Sequence, residues 1–151
     1  MTTIVWLRTD LRISDNPALD AALLHKRPVI IIYILSEFDG DSWPMGAASR
    51  WWLNSSLKSL SSEIEKCGNK LLLKRGNALE ILKKLVSQTG ATNVYWNRCY
   101  DSASITRDKL IKQSLIKTGI NVRSFNASLI REPWEVYTKK GTSFRVFTPF
   151  W

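Results

Sequence analysis

Polar and charged side chains directly follow several apolar runs of the sequence, at the points where predicted strands end. Arg8 and Asp10 come after one such run, and Asn97 and Asp101 come after another. The carboxyl ends of parallel strands meet at one edge of a sheet, where α/β proteins bind ligands. An amide and a carboxylate placed there can hydrogen-bond a planar heterocycle. The candidate binding residues at this edge are Arg8, Asp10, Leu35, Met45, Arg50, Asn97 and Asp101.

Each of these residues also has a purely structural interpretation. Arg8 and Asp10 can form an ion-paired turn that fixes the loop after the first strand. Asp101 can cap a helix that begins near residue 102, and Met45 can simply fill a gap. Arg50 lies at a predicted helix start, where a cation is mildly unfavourable, which favours a specific partner for it.

Several kinds of active site are excluded by the residues that the sequence lacks. No G-x-G-x-x-G follows the first predicted strand, and there is no G-x-x-x-x-G-K-[ST] phosphate loop. The only histidine, His25, lies near a predicted helix end and is expected to have no chemical role. Cys67 and Cys99 lie too far apart for a metal or redox motif. We therefore predict no catalytic residue and no metal ligand in this chain.

Apolar runs alternate with helical patterns five times along the chain. The run at 28–35 is apolar and β-branched without alternation, which is typical of a strand covered on both faces. This order predicts an α/β fold with a five-stranded, mostly parallel sheet and helices on both faces. The predicted strands are 3–7, 28–35, 70–74, 93–96 and 121–125, and the predicted helices are 16–24, 47–66, 77–88 and 103–118.

The composition is that of a globular protein with a basic surface. The net charge is +9, with lysines and arginines dispersed rather than clustered, so a solvated basic surface and a DNA-binding face both remain open. Trp51, Trp52 and Trp134 are interpreted as core or interface residues. No apolar stretch is long enough to span a membrane, and the N-terminus does not resemble a signal peptide, so we expect a cytoplasmic protein.

The last part of the sequence differs from the rest. Residues 1–126 hold all the predicted strands and helices, whereas 127–151 contain no further repeat of this pattern and end in an aromatic cluster. We expect 1–126 to be one domain and 127–151 to begin a linker to a further domain. The segment 129–151 is then expected to pack poorly, or to pair with a second copy of the chain.

Four stretches in order along the chain resemble the DNA photolyase and cryptochrome family. The run 6–19 matches W-[FL]-R-x-D-L-R-x-x-D-N-x-A-L, and 50–60 resembles R-x-x-[FW]-L-x-x-S-L-x-x-L. Residues 97–108 resemble an N-x-x-Y-[DE] loop followed by R-D. Residues 132–150 resemble E-P…G-x-x-[FY]-x-V-F-T-P-F.

The resemblance implies the N-terminal α/β domain of a light-driven flavoprotein. In that family this domain carries a light-harvesting antenna chromophore in many members: a folate, a deazaflavin or a flavin such as FMN. Asp101 matches an acidic residue that contacts the antenna ring, and Arg50 and Met45 fall near other antenna contacts. FAD and the groove for damaged DNA belong to a helical C-terminal domain of the parent protein, so this chain alone is expected to be inactive, without FAD and with at most weak chromophore binding.

Four functional hypotheses remain in competition, and one of them is a plain interaction domain with an empty crevice. The first is the antenna domain of a deoxyribodipyrimidine photolyase, a carbon–carbon lyase that repairs pyrimidine dimers in DNA. The second is the same domain of a cryptochrome photosensor, which only the absent domain would distinguish. The third is a stand-alone nucleotide-binding α/β protein of the universal-stress type, which retention of an adenosine nucleotide through purification would favour.

Overall fold

A computed structural model describes residues 1–24, 26–36, 45–138, 141–142, 144 and 147 of the 151-residue chain. His25, residues 37–44, which connect the second predicted strand to the helix predicted at 47–66, and most of the V-F-T-P-F motif lie outside the described residues.

Five strands form one sheet in the order β3-β2-β1-β4-β5. All four neighbouring pairs are parallel, which confirms the predicted sheet. Strands β2 and β3 lie on one side of β1, and β4 and β5, which come later in the chain, lie on its other side. The order of the strands therefore reverses between β1 and β4, and in α/β sheets this is the point where ligand crevices form. The strands are β1 Thr2–Leu7, β2 Val29–Leu35, β3 Leu71–Arg75, β4 Ala91–Asn97 and β5 Asn121–Phe125.

Four helices connect the strands, and they begin and end where local sequence signals place them. Asn16 accepts a hydrogen bond from the Leu19 N–H and caps the first helix, which starts with Pro17. Asn77 caps the third helix, which ends at Gly90 in a left-handed conformation with φ of 62°. The helices are α1 Pro17–Leu23, α2 Ala47–Lys66, α3 Ala78–Thr89 and α4 Ser102–Lys117.

The sheet is covered on both faces, and this explains its continuous apolar strands. Along β1, Ile4 and Trp6 belong to the core under α3 and α4. Val5 and Leu7 point to the opposite face and pack with α1 and α2. Because successive strand residues alternate between faces, a strand buried on both sides must be apolar at every position. The prediction of helices on both faces is confirmed.

The tryptophans outside the sheet do not join this core. Trp51 and Trp52 on α2 are 68% and 70% exposed, and Trp134 is 53% exposed. Their interpretation as core residues of this chain is wrong. The buried residues of α2 are Leu60 and Ile64, both in its last seven positions. The first three turns of α2 therefore extend along the protein with little cover.

Candidate functional site

The loop after β1 is joined to the end of β4 by a buried network centred on Asn97. The Asn97 amide donates to Asp10 Oδ2 at 2.6 Å and to Asn16 Oδ1 at 2.7 Å. Its own Oδ1 accepts from the Ala18 N–H at 3.1 Å. The other Asp10 oxygen accepts from the Arg8 N–H at 2.8 Å. The hydrogen bonds of the Asn97 side chain thus connect the end of β4 to the loop after β1 and to the start of α1.

A second cluster lies beside the first and surrounds the ring of Trp6. The Arg8 guanidinium pairs with Asp108 and also donates to the Asn97 carbonyl oxygen. Arg107 pairs with the other oxygen of Asp108 at 3.0 Å. The two guanidinium carbons lie 4.9 and 5.2 Å from the Trp6 ring centroid, a cation–π geometry. Two cations share one carboxylate here, so the cluster carries a net positive charge.

These two clusters border a cleft of about 200 Å³ at the carboxyl edge of the sheet, which we call the edge cleft. Its wall combines the ends of β1 and β2, Met45 two residues before α2, the loop after β4 and the first turns of α4. Apolar and aromatic groups alternate with a carboxylate and two guanidinium groups. The lining residues are Trp6, Arg8, Thr9, Tyr33, Ile34, Leu35, Ser36, Met45, Cys99, Asp101, Ser104 and Arg107.

Asp101 supplies the carboxylate at the rim of the edge cleft. Its Oδ1 accepts from the Ser104 N–H at 2.8 Å, so the predicted cap of α4 is confirmed. Partial burial acts to raise the pKa of Asp101, but the hydrogen bonds from Ser104 and its own backbone, with the positive charge of Arg107, outweigh burial and leave that pKa below its ordinary value. At neutral pH this carboxylate is therefore an acceptor only.

The structure places the seven predicted binding residues in three different environments. Four line the edge cleft, namely Arg8, Leu35, Met45 and Asp101. Asp10 and Asn97 are buried in the network beneath it. Arg50 is exposed on the first turn of α2 and is not among the lining residues. The sequence signalled Arg107 only through its R-D motif, and Trp6 as part of an apolar strand and as the first residue of the 6–19 family motif.

One indole nitrogen and one guanidine nitrogen at this edge have no hydrogen-bond partner among the described residues. They are Trp6 Nε1 and Arg8 Nε, and both are buried. Both residues line the edge cleft. A buried donor without an acceptor costs stability, and such a donor beside a cleft is explained when a bound molecule or water supplies the acceptor.

A separate cluster fixes the segment that follows β5. Arg98 donates to Glu132 Oε1 through Nε at 3.0 Å and Nη2 at 2.6 Å, and the Tyr100 hydroxyl donates to the same buried carboxylate at 3.0 Å. Burial acts to lower the pKa of Arg98, but Glu132 and Tyr100 raise it above its ordinary value. Burial and Glu132 raise the pKa of Tyr100, against the opposing effect of Arg98. The expectation that 129–151 packs poorly is thus wrong at Glu132.

Three apolar residues of the segment 129–151 remain exposed, as expected for a segment that packs poorly. Ile130, Trp134 and Tyr137 are all open to solvent.

Within the part of the chain that the structure describes, no group of three or more His, Cys, Asp or Glu could hold a metal ion. Among the same residues, no helix is long and apolar enough to cross a membrane.

Comparison with known proteins identifies the family. A sequence model of DNA photolyase matches residues 3–151. The chain belongs to the DNA photolyase family. It is 50% identical over 148 residues to the deoxyribodipyrimidine photo-lyase of Agrobacterium fabrum, covering 98% of this chain and 30% of that protein. It is 44% identical to cryptochrome-2 of Arabidopsis thaliana, covering 99% of this chain and 24% of that protein.

Solved structures of photolyases share the fold. A bacterial class III photolyase from Agrobacterium tumefaciens matches with a TM-score of 0.90 at 49% identity, covering 99% of this chain and 30% of that one. A Sulfolobus tokodaii photolyase, described as holding two FAD molecules and implying a novel light-harvesting cofactor, matches with a TM-score of 0.71 at 26% identity, covering 99% of this chain and 33% of that one. The chain aligns with the N-terminal part of its photolyase and cryptochrome relatives, and spans about a third or less of the length of those compared here.

Proposed function

We propose that this chain is the light-harvesting-chromophore domain of a photolyase that repairs pyrimidine dimers in DNA with light. The observation that carries this is the edge cleft, which lies at the strand-order reversal of a photolyase-family sheet. The photolyase from Sulfolobus tokodaii described as having a light-harvesting cofactor has the same fold. The parent protein would reside in the cytoplasm and would bind FAD and damaged DNA outside these 151 residues.

The residues of the edge cleft fit a planar heteroaromatic ring. Ile34, Leu35 and Met45 offer apolar contact to its faces. Ionised Asp101 can accept only from N–H donors at the ring edge. The cleft volume lies below the roughly 300 Å³ of a typical whole-ligand pocket, so it suits the ring of a folate, a deazaflavin or FMN rather than the entire molecule.

A chromophore bound in the edge cleft would supply light absorption and transfer of the excitation energy to the flavin of the parent protein. The chain itself positions the ring and limits its contact with water. The network of Asn97, Asp10 and Asn16 keeps the ends of β1 and β4 at a fixed separation, so the cleft is held open before a ligand arrives. The net positive charge of the Arg8–Asp108–Arg107 cluster favours electron-rich or anionic ligand groups.

The test is an absorbance titration of the chain with folate, deazaflavin and FMN in turn. We expect one of them to show a shifted bound spectrum, weak in the chain alone. The shift should be lost in Asp101→Ala and retained in Asp20→Ala, a change of another carboxylate, on α1 and outside the lining of the cleft. Asp101→Asn keeps a helix cap while removing the charge, and so separates recognition from folding.

A hybrid protein provides the decisive arm of this test. In it, residues 1–151 replace the matched N-terminal part of the Agrobacterium fabrum photolyase. We expect the hybrid to bind the same chromophore more tightly, and light absorbed by that chromophore to drive dimer repair by the Agrobacterium remainder. Absence of a spectral shift for all three chromophores, in both the chain and a folded hybrid, would refute the proposal.

A cryptochrome photosensor is the second candidate, and the 44% identity to Arabidopsis cryptochrome-2 favours it. Both candidates predict the same edge cleft and differ in the activity of the parent protein. Light-driven dimer repair by the full-length parent protein would favour the photolyase; chromophore binding without dimer repair by that protein, alongside an active Agrobacterium photolyase control, would favour the photosensor.

A further inference from the structure

The turn that joins β4 to α4 sends its side chains to two different places. Cys99 and Asp101 line the edge cleft. Arg98 and Tyr100, which alternate with them in the sequence, instead bind the carboxylate of Glu132 in the segment after β5. The same short turn therefore contributes both to the wall of the cleft and to the Glu132 cluster.

Side chains rather than backbone hydrogen bonds hold the middle of this turn. Backbone hydrogen bonds anchor it at Arg98 and at Asp101. Between these two residues, neither Cys99 nor Tyr100 makes a backbone-to-backbone hydrogen bond within the described part of the chain. A segment with so few backbone hydrogen bonds opens easily unless other contacts restrain it. Side-chain contacts must therefore keep the turn in place.

Glu132 supplies the strongest of these contacts. This residue is 5% exposed, and its carboxylate accepts from Arg98 Nε at 3.0 Å, from Arg98 Nη2 at 2.6 Å and from the Tyr100 hydroxyl at 3.0 Å. Hydrogen bonds that involve a charged group are about twice as strong as neutral ones, and a low local dielectric strengthens them further. On the cleft side, the Cys99 thiol makes only a weak contact with the Thr9 hydroxyl at 3.8 Å.

Glu132 is itself fixed by its own segment. Its N–H donates to Glu135 Oε2 at 3.2 Å, as part of a capping box on the single 3₁₀ turn Pro133–Glu135. The Trp134 ring of that turn lies 5.4 Å from the Arg98 guanidinium carbon. A side chain that is locked by such secondary contacts can position the groups that bind to it.

We infer that Glu132 is a positioning residue of the edge cleft: it holds the β4–α4 turn and so keeps Cys99 and Asp101 in the cleft wall. Glu132 is not among the residues that line the cleft, so it acts through its partners and not on a ligand. The consequence for chromophore binding rests on the proposed function, because Asp101 is the proposed acceptor for the ring. The consequence for the cleft wall does not.

The cleft wall can be probed without a chromophore, because the chain has only two cysteines. Cys99 lines the cleft, and exposed Cys67 lies outside its lining and serves as an internal reference. We expect Glu132→Ala to raise the rate at which iodoacetamide alkylates Cys99, relative to Cys67, at least about fivefold, because local opening of the turn becomes easier. Peptide mass spectrometry measures the two sites separately.

Two control variants separate this local effect from charge and from global stability. Glu135→Ala removes an exposed carboxylate from the same segment and retains Glu132. Leu82→Ala lowers global stability through a cavity at a buried position of α3 that does not line the cleft. Both should leave the ratio of Cys99 to Cys67 alkylation within about twofold of wild type. If Glu132→Ala does not fold, Tyr100→Phe takes its place, with an increase of about twofold to threefold expected because one of the three hydrogen bonds is lost.

Chromophore binding is the second measurement, made by the absorbance titration described above in the chain, or in the hybrid if the chain binds too weakly. We expect Glu132→Ala to weaken binding at least about fivefold, because the acceptor at position 101 is no longer held in place. Glu132→Gln keeps an acceptor oxygen for Arg98 and should recover part of that loss. Glu135→Ala should bind as wild type does.

Each other result overturns the inference. An alkylation ratio in Glu132→Ala within about twofold of wild type would show that Glu132 does not hold the turn. An equal increase in Leu82→Ala would show that alkylation follows global unfolding. Faster alkylation with unchanged chromophore binding would show that the turn does not shape the binding site.

Failure of this inference is distinguishable from failure of the proposed function. If no chromophore binds to the wild-type chain or to the hybrid, the proposed function is refuted, and the alkylation ratios alone decide whether Glu132 positions the cleft wall. If a chromophore binds equally well to wild type and Glu132→Ala, the proposed function stands and the positioning role is refuted.

Discussion

Replacing Asn97 by alanine should destabilise the protein strongly while leaving ligand contacts in the edge cleft in place. Asn97 is 3% exposed and bridges the loop after β1, the start of α1 and the end of β4. Alanine removes all three hydrogen bonds of its side chain. The change leaves a buried carboxylate, a buried amide and a buried N–H without the partner they had.

The size of the effect can be worked from these contacts. The bond to the Asp10 carboxylate is charge-assisted and contributes about 1.5–3 kcal/mol, and the two neutral bonds contribute about 1 kcal/mol each. The free energy of unfolding should therefore fall by about 3.5–5 kcal/mol, a large part of the 5–15 kcal/mol that typical domains possess. Asn54→Ala, at an exposed position on α2, should change it by less than about 0.5 kcal/mol.

Urea unfolding followed by circular dichroism measures this difference. The midpoint should move down by about 2 M with an unchanged slope, since the same surface is exposed on unfolding. Asn97→Asp should be destabilised as well, because it places a second carboxylate beside Asp10 and raises the pKa of the pair. That deficit should shrink as the pH falls, since protonation of one carboxyl removes the repulsion.

The result that would refute this reasoning is a loss of less than about 1 kcal/mol in Asn97→Ala together with loss of chromophore binding. Asn97 would then be a ligand contact, as its position after β4 first indicated, and not a structural bridge. Retained binding in the folded variant, despite the lower stability, would support the structural role.

Three further perturbations test other parts of the structure. The pKa of Asp101 is lowered in the folded state, so its charge stabilises the protein above the unfolded pKa near 3.8. The wild-type chain should therefore have a free energy of unfolding about 0.5 kcal/mol higher than Asp101→Asn at neutral pH. In urea unfolding at a series of pH values, this difference should disappear as the pH falls below about 4. Glu132→Gln should lower the free energy of unfolding by about 1–3 kcal/mol, because the Arg98 guanidinium loses its anionic partner, whereas exposed Glu63→Gln should be neutral; equal midpoints in thermal unfolding would contradict this. Leu82→Ala, at a fully buried position on α3, should cost about 2–5 kcal/mol and Leu110→Ala, 60% exposed, less than about 1 kcal/mol; similar urea midpoints for the two variants would show that Leu82 is not in the core.

The sequence by itself was sufficient for the elements and the fold class. The caps of α1 and α3 at Asn16 and Asn77 are local hydrogen bonds between residues three positions apart, and sequence spacing records them directly. The unbroken apolar run of β2 indicates cover on both faces, which only a layered α/β fold provides. The strand ends that form the edge cleft followed from the parallel sheet, and Arg8, Leu35 and Asp101 line that cleft; their role in binding stays a prediction.

The tertiary structure alone decided what each side chain does there. Asn97 and Asp101 are four positions apart, yet one is buried in a network and the other faces the cleft, because contacts to residues about 80 positions away fill the space around Asn97. The exposure of Trp51 and Trp52 could not be predicted from the sequence either, since helical spacing gives the face of a residue but not whether another element covers that face. Burial of Glu132 depended on Arg98 and Tyr100, which approach it only once β4 and β5 have paired. Local hydrogen bonds and periodicity are properties of neighbouring residues, whereas burial and pairing over long separations are properties of the assembled sheet.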